Sequence, residues 1–195
     1  MTPLQFGSIP MRSWPIQFAA EIMRAGGVIA YPTEAVWGLG CDPFNELAVQ
    51  QLLQMKNRPL AKGLILISGD IADFQIWLAQ ISPAQREMLQ QQWPGFKTWV
   101  LPDAGFAPPW IKGNNSGVAI RVSAHPLVQE LCRAFGGPIV STSANITGRA
   151  SARYRWQVER YFHGQLDYVL AGPLGGATQV SVIKDVMSGK ALRGS

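Results

Sequence analysis

The sequence predicts an α/β protein whose central sheet is covered by helices on both faces. Amphipathic stretches at helical spacing alternate along the chain with short, continuous apolar runs. Continuous rather than alternating apolar runs are typical of strands that are buried on both faces. The 195 residues, of which 47% are hydrophobic and 15% charged, suit one core. We therefore predict a single domain over residues 1–195.

The first half of the chain predicts three helices and two strands. Gly26-Gly27 ends the first helix, Pro32 ends the first strand, and Ser82-Pro83-Ala84-Gln85 forms a capping box that starts the third helix. In chain order, the elements are a helix from Ile16 to Ala25, a strand from Val28 to Tyr31, a helix from Asn45 to Met55, a strand from Leu64 to Ile67 and a helix from Ser82 to Gln91.

The second half predicts mostly strands, separated by one long loop and one helix. The stretch from Pro102 to Gly117 is rich in Pro, Gly and Asn and predicts a loop. The elements are strands at Trp99–Leu101 and Val118–Val122, a helix that starts at His125-Pro126 and ends at Gly136-Gly137, a strand at Ile139–Thr142, and weaker strands at Tyr168–Leu170 and Val180–Ile183. The small, polar segment from Ala144 to Ala152 predicts a flap over a site.

The composition excludes several classes of protein. Cys41 and Cys132 are too few for a disulfide framework or a metal set, which favours reduced thiols and a cytoplasmic location. No apolar run approaches the roughly 18 residues of a membrane span, and residues 1–14 hold no apolar segment of signal-peptide length. His125 and His163 lack metal-ligand spacing, so we expect no metal ligands among the protein side chains.

The net charge of +5 lies entirely in the second half. Residues 1–100 carry seven basic and seven acidic side chains, whereas residues 101–195 carry ten and five. Such an excess either favours an anionic ligand such as a nucleotide or RNA, or simply solubilises the surface. Tyr154 and Trp156, which lie among several arginines, likewise form either a platform for stacking RNA bases or an ordinary surface helix.

Two short stretches suggest a binding site for a nucleotide triphosphate. Lys56, Arg58 and Lys62 lie just before the apolar run Leu64–Ile67, and the hydroxyls of Ser141, Thr142 and Ser143, with the Asn145 amide, follow the strand at Ile139. Cations and small hydrogen-bonding groups at strand ends can hold phosphate and ribose oxygens. The alternatives are a solvated helix end for the cations and a turn for the hydroxyls. The chain contains no Walker or Rossmann glycine motif, so the site differs from the common nucleotide folds.

Three further residues are candidates for a substrate site. Thr33 and Glu34 lie where the first predicted strand ends, which is where ligands gather in α/β sheets. Arg121 alternates with apolar residues of its strand and is able to hold a carboxylate in a bidentate manner. The alternatives are a strand–turn in which Thr33 satisfies local backbone groups and a surface ion pair for Arg121.

Taken together, five ordered segments resemble the YrdC/TsaC family of threonylcarbamoyl-AMP synthases. They are AYPTEAVWGLGCDP (30–43), KNRPLAKGLILI (56–67), WPG with Thr98 (93–98), VAIRVSAHPL (118–127) and PIVSTSAN followed by TG (138–148). The Lys-x-Arg and Ser-x-Asn pairs of the family correspond to Lys56/Arg58 and Ser143/Asn145. The resemblance covers nearly the whole chain, and the chain is similar to the short, single-domain form of the family.

The resemblance implies a twisted, mixed sheet with flanking helices around one large, positively charged cavity. It also implies a reaction in which threonine, bicarbonate and ATP give L-threonylcarbamoyladenylate and pyrophosphate. The product would pass to threonylcarbamoyl-transfer proteins that modify adenosine 37 of tRNAs reading codons that begin with A. A non-catalytic RNA-binding module in tRNA or ribosome maturation, which binds RNA through the basic surface, is the alternative function.

The resemblance also implies a role for each site residue. Lys56, Arg58, Ser143 and Asn145 would be catalytic, and Lys56, Arg58 and Lys62 would offset triphosphate charge with Mg²⁺ arriving on ATP. Ser141, Ser143, Asn145 and Ser181 would contact the nucleotide. Thr33, Arg121 and Thr98 would bind threonine, with Arg121 taking its carboxylate.

Overall fold

The computed structural model describes residues 14–179 and 181–193, in which seven α-helices surround one nine-stranded sheet. The helices are α1 (Trp14–Arg24), α2 (Glu46–Met55), α3 (Gln75–Leu78), α4 (Pro83–Gln90), α5 (Pro109–Lys112), α6 (Pro126–Phe135) and α7 (Arg155–Tyr161). The strands are β1 (Ile29–Pro32), β2 (Trp37–Gly40), β3 (Ile65–Ser68), β4 (Lys97–Pro102), β5 (Gly117–Val122), β6 (Ile139–Ser143), β7 (Tyr168–Val169), β8 (Val182–Asp185) and β9 (Ala191–Arg193). Short 3-10 turns occupy Leu60–Lys62 and Ile71–Phe74.

The sheet is mixed, and its strand order departs strongly from chain order. The order is β7-β1-β2-β6-β3-β5-β4-β8-β9. The pairs β1/β7, β3/β5 and β4/β8 are parallel, and the remaining neighbours are antiparallel. Strand β6 lies between β2 and β3, and this position brings the Ser141–Asn145 stretch next to the segment that follows α2.

Apolar side chains form two clusters, which confirms the prediction of a sheet covered on both faces. The larger cluster packs α2, α3 and α4 with Trp99, Leu101 and Ile120 of the sheet. The smaller cluster packs α1 and α6 against β1 and β3, with Met23, Ile67 and Leu131 fully or almost fully buried. Burial of this apolar surface is the main stabilising contribution to such a fold.

The predicted helices and strands are confirmed where the described residues cover them, apart from shifts of a few residues at their ends. Capping supports two of them: Asn45 Oδ1 accepts from the Ala48 N–H, and Ser82 and Gln85 form the predicted capping box. The late strand was predicted to begin at Val180, which lies outside the described residues, and its remainder corresponds to β8. The prediction about a signal peptide falls on residues 1–14, of which 1–13 are not described.

Four helices and strands have no counterpart among the predictions: β2, α3, α5 and β9. Strand β2 lies in a glycine-containing stretch, Trp37–Gly40, for which no strand was predicted. A Cβ on Gly40 would lie 2.8 Å from the Tyr31 ring and 2.6 Å from the Val140 carbonyl oxygen, so glycine is needed there for close packing. Helix α5 falls inside the predicted loop from 102 to 117, and β9 has too few residues to give a period-2 pattern.

Two whole-chain predictions have different outcomes. One sheet contains every strand of the described residues, but a single domain over residues 1–195 stays a prediction. Among the same residues, none of the helices is both long and apolar enough to cross a bilayer.

Candidate active site

A large cavity opens beside the ends of β3, β5 and β6. Its volume is about 790 Å³, and a smaller cavity of about 50 Å³ adjoins it, because Ile65 and Ser141–Ser143 line both. The residues that line the large cavity include Arg58, Lys62, Lys112, Asn115, Ser116, Ser141, Thr142, Ser143 and Asp185. Three cations against one carboxylate make this wall of the cavity positive.

The chain turns sharply at the end of α2, so that Lys56 and Arg58, the two cations of the Lys-x-Arg pair, lie on different sides of this segment. Asn57 adopts a left-handed conformation with φ 49°, and the Asn57 and Arg58 N–H groups close the helix on Gln54 and Leu53. Arg58 then lines the large cavity, where its Nη2 donates to the Gly63 carbonyl at 2.7 Å. Arg58 is therefore held against the wall of the cavity by the turn that also carries Lys62.

Lys56 lines neither of the two cavities. Its ammonium donates to the backbone carbonyls of Ser143 and Asn145, the latter at 2.7 Å, and the Thr147 N–H donates to the Lys56 carbonyl at 2.8 Å. Only 3% of Lys56 is exposed. Burial lowers the pKa of Lys56 to about 7, and the neighbouring Arg58 charge acts in the same direction. Lys56 thus connects the Lys-x-Arg segment to the Ser-x-Asn segment and supports the site without lining a cavity.

Asn145 has a similar supporting role. Its Oδ1 accepts from Ser143 Oγ at 2.6 Å, and its Nδ2 donates to the carbonyls of Ile146 and Arg149. These bonds shape the predicted flap of residues 144–152. Both ends of the flap are also attached to β2, because Ala144 N–H donates to the Trp37 carbonyl and Trp37 N–H donates to that of Ala152.

Two of the three residues predicted to bind threonine, Thr33 and Arg121, line the small cavity. Ser181, predicted to contact the nucleotide, lines this cavity and not the large one, and Phe96, which was not predicted, lines it as well. The Thr33 hydroxyl donates to the Val36 carbonyl at 2.7 Å. Thr98 is fully buried behind this wall, and its Oγ1 donates to Ser181 Oγ at 3.1 Å. Thr98 therefore orients Ser181 in this structure.

Arg121 is 7% exposed and is held on two sides. Its Nη2 lies 2.5 Å from Glu34 Oε2, and its guanidinium carbon lies 4.7 Å from the centre of the Phe96 ring. Glu34 Oε1 in turn accepts from Ser123 Oγ at 2.7 Å. The ion pair considered from the sequence therefore exists, but it is buried and borders the cavity.

Lys112 was not predicted as a site residue. It is the last residue of α5, it lines the large cavity together with Lys62, and it pairs with the buried carboxylate of Asp103 at 3.3 Å. Burial alone would raise the pKa of Asp103, but hydrogen bonds from the Ala107 N–H, the Trp77 indole and Lys112 hold it below its usual range. The repeated Lys-Gly pair, Lys62-Gly63 and Lys112-Gly113, is the sequence signal that would have found it.

Metal ligands are not grouped in the part of the chain that the structure describes. There, no cluster of three or more His, Cys, Asp or Glu side chains is arranged to hold an ion. Cys41 and Cys132 are buried, free thiols.

The fold and the cavity define a class of protein: an α/β protein with a cationic pocket at strand ends that suits an anionic ligand and is not built from a glycine-rich phosphate loop. The family model Sua5_yciO_yrdC, described as "Telomere recombination", matches residues 21–194. The chain belongs to this Sua5/YciO/YrdC family.

Individual relatives are similar over nearly the whole chain. A threonylcarbamoyl-AMP synthase of Stenotrophomonas maltophilia is 49% identical over 185 residues, which cover 94% of this chain and 100% of that protein. A threonylcarbamoyl-AMP synthase of Stutzerimonas stutzeri is 52% identical over 180 residues, which cover 92% and 97%. Among solved structures, P. abyssi Sua5 complexed with L-threonine matches with a TM-score of 0.84 and 32% identity over 92% of this chain. This chain spans 53% of that Sua5 chain.

Proposed function

We propose that this protein is a threonylcarbamoyl-AMP synthase, which converts L-threonine, bicarbonate and ATP into L-threonylcarbamoyladenylate and pyrophosphate. The cationic cavity of about 790 Å³ that joins an arginine-containing pocket is the observation that carries the proposal. Relatives of about 50% identity that bear this activity in their names support it.

The large cavity suits the triphosphate of ATP. Arg58, Lys62 and Lys112 supply positive charge along its wall, and Ser141 and Ser143 supply hydroxyl donors on the opposite strand. Mg²⁺ would enter with ATP, bound mainly through phosphate oxygens and water, because it keeps several waters and needs few protein ligands. Lys56 and Asn145 would then act by holding the loop that carries Ser143.

The smaller cavity suits the amino acid. Arg121 would take the carboxylate of threonine, and Thr33 and Ser181 would contact the rest of the molecule. The related Sua5 structure contains L-threonine, which supports this assignment. A volume of about 50 Å³ is small for an amino acid, so side chains of this cavity, such as Phe96, would move when threonine enters.

The proposed chemistry needs positioning and neutralised charge rather than a protein nucleophile. The neutral amine of threonine and bicarbonate form a carbamate with loss of water. A carbamate oxygen then bonds to the α-phosphorus, the bond from that phosphorus to the β-phosphate oxygen breaks, and pyrophosphate leaves with the electron pair. Adjacent cavities for the two reactants favour this attack because they hold the groups close together.

The wider setting follows from the product. An activated threonylcarbamoyl group is consumed by transfer to an acceptor, and we propose transfer to adenosine 37 of tRNAs that read codons beginning with A, through separate transfer proteins. A cytoplasmic location fits the two buried, free thiols. The alternative of a non-catalytic RNA-binding module is not favoured by the relatives.

Pyrophosphate release tests the proposal directly. We expect release from ATP and Mg²⁺ to require both threonine and bicarbonate. Arg58→Ala and Ser143→Ala should lower the rate by at least tenfold, because each removes charge or a hydroxyl from the cavity wall. Arg133→Ala, on the exposed face of α6, is the matched control and should retain the rate.

Two outcomes would contradict the synthase. Release that does not depend on threonine would point to another ATP-consuming reaction. No release, together with salt-sensitive RNA binding that survives Arg58→Ala and Ser143→Ala, would favour the RNA-binding module instead.

A further inference from the structure

Arg121 carries its own counter-ion, which the proposed reaction does not use. The Glu34 carboxylate lies 2.5 Å from Arg121 Nη2, and both side chains are about nine-tenths buried. Burial of two charges costs solvation, so a buried pair beside a pocket calls for a reason beyond stability.

The ion pair leaves part of Arg121 available to a ligand. Arg121 Nη2 and Glu34 Oε2 satisfy each other at 2.5 Å. Arg121 Nε is buried and has no hydrogen-bond partner among the described residues, although buried polar groups are normally hydrogen-bonded. Arg121 also lines the small cavity, so a ligand carboxylate there would lie close to its guanidinium.

The position of Glu34 is strongly constrained. Its carboxylate accepts from Ser123 Oγ at 2.7 Å, and its backbone carbonyl accepts from the Ala177 N–H at 2.8 Å. Gly175 packs so closely on it that a Cβ there would lie 2.9 Å from Glu34 Cα. The backbone of Glu34 is therefore fixed by several contacts, and the ion pair and the Ser123 hydrogen bond hold its carboxylate beside Arg121.

The pair makes the amino-acid end of the site electrically neutral. Thr33 and Ala35 line the small cavity, whereas Glu34, which lies between them in sequence, does not line it and pairs with Arg121. The charge of Glu34 therefore acts on a ligand in this cavity by electrostatic interaction at a distance and not by direct contact. An α-amino acid brings a carboxylate and an ammonium, and these match the guanidinium and the carboxylate. A ligand that has a carboxylate but no ammonium is attracted by Arg121 and repelled by Glu34. This repulsion matters because the distance is short and the site is poorly solvated.

We propose that Glu34 is a specificity-determining residue that makes the pocket select zwitterionic amino acids over carboxylates without an α-amine. This inference rests on the proposed function and deepens it. Discrimination of this kind excludes the many small carboxylic acids that would otherwise bind to Arg121.

The test compares L-threonine with (R)-3-hydroxybutyrate, which lacks only the amine. Dissociation constants are measured by ligand-observed NMR titration for the wild type, Glu34→Gln and Glu34→Asp. We expect the wild type to prefer threonine by at least tenfold and Glu34→Gln to lose most of that preference, with hydroxybutyrate binding unchanged or tighter. Glu34→Asp retains the charge and should retain most of the preference.

The controls separate a charge effect from a loss of structure. Glu130→Gln, on the exposed part of α6, removes the same charge far along the chain and should leave the ratio unchanged. Equal weakening of both ligands in Glu34→Gln would mean a structural role and would overturn the inference. The wild type alone also decides, since equal affinity for the two ligands contradicts the proposal even if the variants fail to fold.

The same data distinguish this inference from the proposed function. Threonine-dependent pyrophosphate release, together with an unchanged preference of Glu34→Gln for threonine over hydroxybutyrate, would support the synthase function and contradict the role of Glu34. A wild type that neither binds threonine nor releases pyrophosphate would overturn both.

Discussion

At the residue scale, the sharpest finding is that Lys56 supports the site from outside the cavity. Its ammonium bridges two carbonyls of the strand-end loop, which fixes the separation between the segment after α2 and the segment after β6. Among the described residues, no carboxylate pairs with Lys56. Burial of its ammonium costs solvation free energy, which destabilises the protonated form and lowers the pKa of Lys56 to about 7. Lys56 therefore couples the geometry of the site to protonation near neutral pH.

The low pKa of Lys56 predicts a pH-dependent stability. An unfolded lysine titrates at about 10.4, so between pH 7 and pH 10 the unfolded chain holds a proton that the folded chain has released. Folding stability from this group therefore rises with pH through that window, and below pH 7 the burial penalty is fully present. Relative to Lys56→Met, the wild type should gain up to about 1.4 kcal/mol of unfolding free energy per pH unit.

Urea denaturation of the two proteins at pH 6.5, 8 and 9.5 measures this difference. Lys190→Met, at an exposed position, serves as the control and should show no such trend below pH 9.5. A difference between wild type and Lys56→Met that stays constant across the three pH values would contradict the assigned pKa.

At the scale of elements, the wall of the large cavity depends on two short segments that meet through backbone contacts. The 3-10 turn Leu60–Lys62 and helix α5 are joined because Leu64 N–H donates to the Ile111 carbonyl at 2.8 Å and Asn114 N–H donates to that of Ala61 at 3.1 Å. Gly63 and Gly113 both have φ 62° at this contact. Lys62 and Lys112 are thereby brought to one side of the cavity.

Gly63→Ala should disturb this wall. A Cβ on Gly63 would lie 2.7 Å from the Lys112 carbonyl oxygen, and the positive φ adds backbone strain. We expect a loss of about 1–3 kcal/mol in unfolding free energy and weaker ATP binding, measured by denaturation and by calorimetric titration.

Gly105→Ala is the matched control for that substitution. Gly105 also has a positive φ, 96°, but a Cβ there would meet nothing within 4 Å. The control shares the backbone strain and lacks the clash, so equal ATP affinity in the two variants would contradict the role given to the contact between the two segments.

At the scale of the whole molecule, the mixed sheet assembles one cavity from segments far apart in sequence. Strands β3 and β6 are antiparallel neighbours, with Ile65 opposite Ser141, although more than 70 residues separate them along the chain. Ligands that bridge these strands should therefore stabilise the fold as a unit, because binding to the folded state alone shifts the unfolding equilibrium.

ATP with Mg²⁺ should raise the thermal unfolding midpoint of the wild type. At a free concentration of 100 times the dissociation constant, the stabilisation is about 2.7 kcal/mol. The gain should fall sharply in Arg58→Ala and persist in Arg133→Ala, as measured by differential scanning calorimetry. Equal gains in all three proteins would mean that ATP binds away from this cavity.

Local sequence patterns are sufficient to predict the α/β class, most helices and strands, and the family. These follow from local patterns: apolar periodicity, the Ser82 capping box, and glycines or prolines at the ends of elements. The sequence also identified Arg58, Lys62, Ser141, Ser143, Arg121 and Thr33 as candidates, and these residues do line the two cavities.

Which candidates face the cavity and which support it depends on the tertiary structure. Lys56 and Asn145 hold the loop, Thr98 lies behind Ser181, and Lys112 joins the wall from a stretch predicted to be a loop. The short strands β2 and β9, and the identity of Glu34 as the ion-pair partner of Arg121, were also absent from the sequence predictions. Glu34 and Arg121 lie 87 positions apart, and a contact at that separation depends on strand order and on close backbone packing, which local propensities do not encode.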